Sequence, residues 1–247
     1  MNPQPRIRVL ATPQDVARFA ADHLLDAARQ AVAVNGSFSL ALSGGSTPRL
    51  LYQLLAGEPY LSEFPWADTE IFFGDERCVP PDHPDSNYRM ARETLLSKVP
   101  VPATSVHRMK GEIDPAAAAR EYQQLLQERF GVGPGIDLVL LGLGEDAHTA
   151  SIFPDTPAAG ETAAWVVGYF AEKSSTGPSW RVTLTAPFIN RSKEVVFLIC
   201  GASKASPLQQ VLEGPCNPQH LPAQLIRPAS GQLLYVLDAA AADMDHD

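Results

Sequence analysis

No apolar run in this 247-residue chain approaches the roughly 18 residues of a helical membrane span. No apolar h-region follows Met1 either, and Pro3 and Pro5 interrupt the start, so no secretory signal is expected. Cysteine is scarce: Cys78, Cys200 and Cys216 are odd in number, widely spaced and form no CxxC pair. A disulfide framework or a zinc site is therefore not expected, and a reducing compartment is implied. Basic charge is in deficit, with 19 Lys and Arg against 28 Asp and Glu and a formal net charge of −9. A phosphate backbone would need the opposite balance, so no nucleic-acid partner is expected. An anionic small molecule stays possible, because a few local cations can dominate one pocket. The remaining composition, 45% hydrophobic and 19% charged, excludes wholesale disorder. These absences leave a soluble, cytoplasmic chain with no membrane partner, monomeric by default. It is expected to form a single α/β domain over 1–247, with its core at 6–238 and a disordered tail at 239–247.

What is present centres on Asp137-Leu-Val-Leu-Leu-Gly-Leu-Gly-Glu-Asp-Ala-His-Thr-Ala-Ser151. The run 136–141, apolar but for Asp137, reads as a strand buried on both faces, since a half-exposed strand would alternate. Open α/β sheets bind ligands beyond the carboxyl ends of their strands. His148 with Asp146, released there, reads as chemistry; the bland alternative is a polar turn. Gly142-Leu-Gly-Glu-Asp-Ala147 formally matches a dinucleotide fingerprint, but Glu145 and Asp146 stand where a pyrophosphate would sit. Asp146 and His148 have no third ligand at a recognisable spacing, so no metal is expected. No GxSxG elbow supplies a serine nucleophile.

Three other strand ends carry polar clusters. A strand over 38–42 leads into Ser43-Gly44-Gly45-Ser46-Thr47-Pro48. Its glycines admit close backbone approach, its hydroxyls donate, and the following helix N-terminus favours an anion. A strand over 71–73 ends in Gly74-Asp75-Glu76-Arg77, followed by a Pro-rich loop over 78–85 that could lie across the same edge as a lid. A strand over 195–199 leads to Gly201-Ala-Ser-Lys204, where Ser203 would cap a helix and Lys204 would oppose its dipole unless an anion were bound. Strands are also read over 7–10, 165–170, 181–185 and 233–237, with Arg181 opening the third of these. Helices are read over 13–34 and 115–130, with Ser86 capping another. This alternation implies a three-layer, largely parallel open sheet with helices on both faces, Rossmann-like in architecture. In such a sheet the four loops converge on one edge.

These motifs, in this order, make the chain resemble the short, DevB-type 6-phosphogluconolactonase family, related to glucosamine-6-phosphate deaminase. The resemblance rests on 42–48, 73–80, Asp85-Ser-Asn87, 141–154, 181–185 and 201–204. It implies hydrolysis of 6-phospho-D-glucono-1,5-lactone, a small-molecule partner, without a redox cofactor. It further implies His148 as general base, with Asp146 or Asp75 orienting the imidazole or the sugar hydroxyls. Arg77 would bind substrate oxygens or the oxyanion. Ser43, Gly44, Gly45, Ser46 and Thr47 would hold the phosphate, with Arg181 and Lys204 neutralising it. The family pattern has glycine where this chain has Ala147, which predicts strain if the turn needs positive φ. A deaminase would carry a carboxylate five residues after the histidine, where Phe153 stands, and tyrosine at Arg77. A non-enzymatic sugar-phosphate sensor, a second alternative, would add a basic DNA-binding segment, which is not evident.

Overall fold

The computed structural model describes residues 5–172, 174, 177 and 179–243. Among these lie strands β1 (Arg6–Leu10), β2 (Phe38–Leu42), β3 (Thr69–Phe73), β4 (Asp75–Arg77), β5 (Leu138–Leu141), β6 (Val166–Ala171), β7 (Ser179–Leu184), β8 (Glu194–Ile199) and β9 (Gln232–Asp238). The α-helices are α1 (Pro13–Asn35), α2 (Ser46–Leu55), α3 (Tyr60–Glu63), α4 (Asn87–Ala91), α5 (Pro115–Phe130), α6 (Ala186–Ile189), α7 (Ala205–Leu212) and α8 (Ala239–Ala242). Local chemistry sets several of these ends. The Thr12, Ser86 and Asp114 side chains accept N–H groups in the first turns of α1, α4 and α5, and Gly36, at φ 79°, closes α1.

Six strands form one parallel sheet in the order β1-β9-β8-β5-β2-β3. All four residues of β5 are buried, because it lies between two cores. Leu138 and Leu140 face the cluster that holds α1 and α2; Val139 and Leu141 face the one that holds α5 and α7. The period-two alternation of a strand thus serves both faces, and no polar position is left over. The chain leaves β2 toward β3 on one side and β5 toward β8 on the other. Their adjacent carboxyl ends make a switch point, where such sheets open a crevice.

One element was not foreseen. Asp75–Arg77 is a strand, not a loop, and it joins β7 and β6 in a second, antiparallel sheet of order β4-β7-β6. Three consecutive charges read as a turn, yet pairing with Arg181–Thr183 satisfies their backbone. Residues of β6 and β7 pack into the same core cluster as α5. The expected cap at Ser203 is also corrected. A 3₁₀ turn covers Ala202–Lys204, and α7 starts at Ala205 with Lys204 at its cap and no side-chain capping bond. At the other end Asp238 caps α8, so 239–242 are helical and Asp243 follows them, while 244–247 lie outside the described residues.

Candidate active site

The loops after β2, β5 and β8 meet strand β4 around a cavity of about 430 Å³. It is lined by 43–48, by Asp75, Arg77 and Asn87, by 142–145 with His148, and by 198–200 with Lys204. Parallel strands send their carboxyl ends to one edge, so four clusters far apart in sequence become one site.

His148 sits at the wall with Nδ1 2.5 Å from Asp146 Oδ1. Its ring packs on Phe153, centroid to centroid 4.3 Å. An Nδ1–H donated to Asp146 leaves Nε2 as the basic nitrogen. Burial by itself would raise the Asp146 carboxyl, but the His148 hydrogen bond and charge outweigh it and hold it below the ordinary aspartate value. The backbone between them is tight. Gly144 N–H donates to the His148 carbonyl at 2.8 Å, and Ala147 N–H donates to the Gly144 carbonyl at 3.1 Å.

Asp75 faces His148's loop from β4 and is buried. Ser151 Oγ donates to its Oδ2 at 2.6 Å, and Asn87 Nδ2 donates to its Oδ1 at 3.2 Å and to its carbonyl at 3.0 Å. A Cβ on Gly44 would overlap the Asn87 side chain, so Asn87 is wedged between the loop after β2 and Asp75. Next door, the buried Glu76 carboxylate accepts from the N–H groups of Arg77, Asn87 and Tyr88 and from Ser86 Oγ. Burial raises its carboxyl despite those four bonds, and they pin α4 against β4.

Across the cavity, Gly45 starts α2 at φ 112° with no side-chain cap, leaving the Ser46 and Thr47 N–H groups for an anion. Lys204 Nζ lies 3.9 Å from Glu145 Oε1 at the rim. Arg77 is tied back by Nη1 donating to the Asp85 carbonyl at 2.7 Å, which joins it to the 78–85 loop. The His148–Asp146 pair and the loop after β2 thus face each other across one cavity.

Residues 11–235 match the family model described as glucosamine-6-phosphate isomerases/6-phosphogluconolactonase. The chain belongs to this family. It is 41% identical to a 6-phosphogluconolactonase of Nostoc sp. over 225 residues, covering 89% of this chain and 90% of the relative. A Synechocystis sp. 6-phosphogluconolactonase is 39% identical over 244 residues, covering 97% and 98%. The structure of 6-phosphogluconolactonase from Trypanosoma cruzi superposes with a TM-score of 0.85 at 30% identity, covering 98% and 97%.

Within this glucosamine-6-phosphate isomerase/6-phosphogluconolactonase fold, most residues singled out by sequence line the cavity, and Asp146 and Arg181 do not. Ser43, Gly44, Gly45, Ser46, Thr47, Asp75, Arg77, His148 and Lys204 line it, and Asp146 supports His148 from behind. Arg181 does not line it. Its side chain is buried in β7, donates to Ser179 and Ser174, and lies over the Phe153 ring at 5.6 Å. Asn87 and Ser151 were missed as site residues. The signal was there, in Asp85-Ser-Asn87 and in the serine closing the histidine stretch, but their partner Asp75 is fixed only by the fold.

Ala147 does adopt positive φ, at 61°, so this chain keeps the left-handed turn with a side chain. The residue is 1% exposed and its methyl packs into the core. Relief of about 1–2 kcal/mol of left-handed strain in Ala147→Gly is offset by the lost methyl burial of about 0.8 kcal/mol and by chain entropy. The expected change in the urea midpoint corresponds to less than about 0.5 kcal/mol. Ala147→Val should cost at least about 2 kcal/mol, from a β-branched residue at positive φ and overpacking. A stable valine variant would show that the turn yields.

Proposed function

We propose that this chain hydrolyses 6-phospho-D-glucono-1,5-lactone to 6-phospho-D-gluconate, a step of the oxidative pentose phosphate pathway. The observation that carries the reading is the His148–Asp146 pair facing the Ser43–Thr47 loop across one cavity. The names of the relatives point the same way.

The phosphate sits on the N-terminus of α2 with Lys204 beside it, and the sugar ring spans toward His148. His148 Nε2 takes a proton from a water whose oxygen attacks the lactone carbonyl carbon. The tetrahedral intermediate collapses, the ring ester C–O bond breaks, and the ring oxygen leaves as a hydroxyl after taking the proton back from His148. Water and two proton transfers balance the reaction, so it calls on no redox cofactor. Asp75, held by Ser151 and Asn87, accepts from sugar hydroxyls. Arg77 donates to substrate oxygens and to the developing oxyanion. One protomer carries every group named, so the reading needs only a monomer acting on a free cytoplasmic metabolite.

Phe153, buried and packed on His148, offers no carboxylate for the ring opening of an amino sugar phosphate. The test is turnover of freshly generated lactone at slightly acidic pH, where spontaneous hydrolysis is slow, beside ammonia release from glucosamine 6-phosphate. Lactone turnover without ammonia release is expected. Ammonia release would favour the deaminase, and binding without any turnover would favour a sensor.

A further inference from the structure

We propose that Tyr52 is the positioning residue that preorganises the phosphate-binding loop, acting through the backbone of Ser43. The inference rests on the sugar-phosphate reading of the cavity. The sheet ladder runs out at the end of β2, where the Leu42 carbonyl accepts from Gly74 N–H at 2.9 Å. Ser43, the next residue, takes both of its main-chain bonds from one side chain. Its N–H donates to Tyr52 Oη at 2.9 Å, and Tyr52 Oη donates to its carbonyl at 2.8 Å. A neutral phenol is one of few groups that can do both at one atom.

Tyr52 is fully buried on the inner face of α2, the helix whose N-terminus forms the anion site. The loop is therefore stapled to the body of its own helix, across the turn that the ligand must enter. Ser43 Oγ lies buried beside the phenol with no partner in hydrogen-bonding geometry among the described residues, at the wall of the cavity. Gly45 leaves α2 without a side-chain cap, so no capping side chain holds the start of the helix. Burial keeps the phenol protonated well above its ordinary range, so both bonds hold at any working pH. The His148–Asp146 pair hangs on a different loop, after β5, and makes no bond to Tyr52 or Ser43 among the described residues.

Tyr52→Phe keeps the ring and removes both bonds. Losing the staple should raise KM for the phosphorylated lactone about 5–10-fold, a hydrogen bond's net worth, with kcat within about two-fold. Binding of 6-phosphogluconate, read by thermal shift without turnover, should weaken by the same factor. Hydrolysis of unphosphorylated glucono-1,5-lactone, where measurable, should be unchanged. Far-UV circular dichroism and the melting temperature of the unliganded variant report its fold. Should the phenylalanine variant unfold, Tyr52→His, which keeps a polar atom, is the second variant: weakened 6-phosphogluconate binding is expected, and undiminished affinity in it would overturn the inference. Equal affinity of wild type and Tyr52→Phe would overturn the inference and leave the sugar-phosphate reading standing. So would an equal loss of turnover on both lactones. Wild type that fails to bind 6-phosphogluconate at all would overturn both.

Discussion

His148→Ala is expected to lower kcat/KM for the phosphorylated lactone by at least about 100-fold, the low end of what a placed base contributes. The loss should fall on kcat, because the phosphate loop and Lys204 lie on other elements and keep binding the ground state. Asp146→Asn separates proton acceptance from ring orientation. An amide can turn its N–H toward Nδ1 and so present the wrong tautomer to the cavity. It should cost at least about 10-fold with little change in KM. The depressed Asp146 carboxyl also makes a pH statement. A group whose folded value lies below its ordinary 3.8 contributes its bond above that value and loses it only as pH falls through the folded one. The pair therefore stays intact throughout a slightly acidic assay, and activity lost between pH 8 and 5 cannot be assigned to protonation of Asp146. A His148→Ala enzyme of undiminished kcat, with its circular dichroism unchanged, would move the base to Asp75.

Gly144→Ala should be nearly as damaging, although it replaces no reacting group. Gly144 is not in the left-handed region, so its backbone tolerates alanine. Its missing Cβ would come within 3.0 Å of His148 Nδ1, His148 Cε1 and Asp146 Oδ1 at once. The imidazole must swing away or part from its carboxylate, and a shift of about 1 Å in a reacting group can cost about 100-fold. The expected result is a folded enzyme with kcat down at least about 50-fold and 6-phosphogluconate affinity within a few-fold of wild type. Full activity would mean that the pair moves freely and that its geometry is not what the reaction uses. Serine should do no better, since its Cβ meets the same atoms.

The elements most legible in the sequence are those whose signals are local. The run 136–141 reads as a strand buried on both faces, and β5, which starts at Leu138, is buried at every position. Thr12-Pro13, Ser86 and Asp114-Pro115 announced helix starts, because a cap acts on N–H groups two or three residues away. Even the convergence of four loops could be read ahead, since parallel strands discharge at one edge.

Arg181 shows where local reading stops. Its charge and its place at a strand start were visible, but its surroundings depend on antiparallel pairing with Arg77, about a hundred residues away. Nothing in 75–77 taken alone marks a strand, and without that pairing neither the Asp75 network nor the burial of Glu76 can be inferred. The sequence by itself marked most of the elements in order and the polar segments, His148 among them, that line the cavity. Tertiary structure decided which distant groups touch: Ser151 and Asn87 on Asp75, and Tyr52 on Ser43. The physical reason is range. Periodicity and capping are written within a few residues, whereas burial and hydrogen-bond partners are chosen by segments that meet only once the sheet has formed.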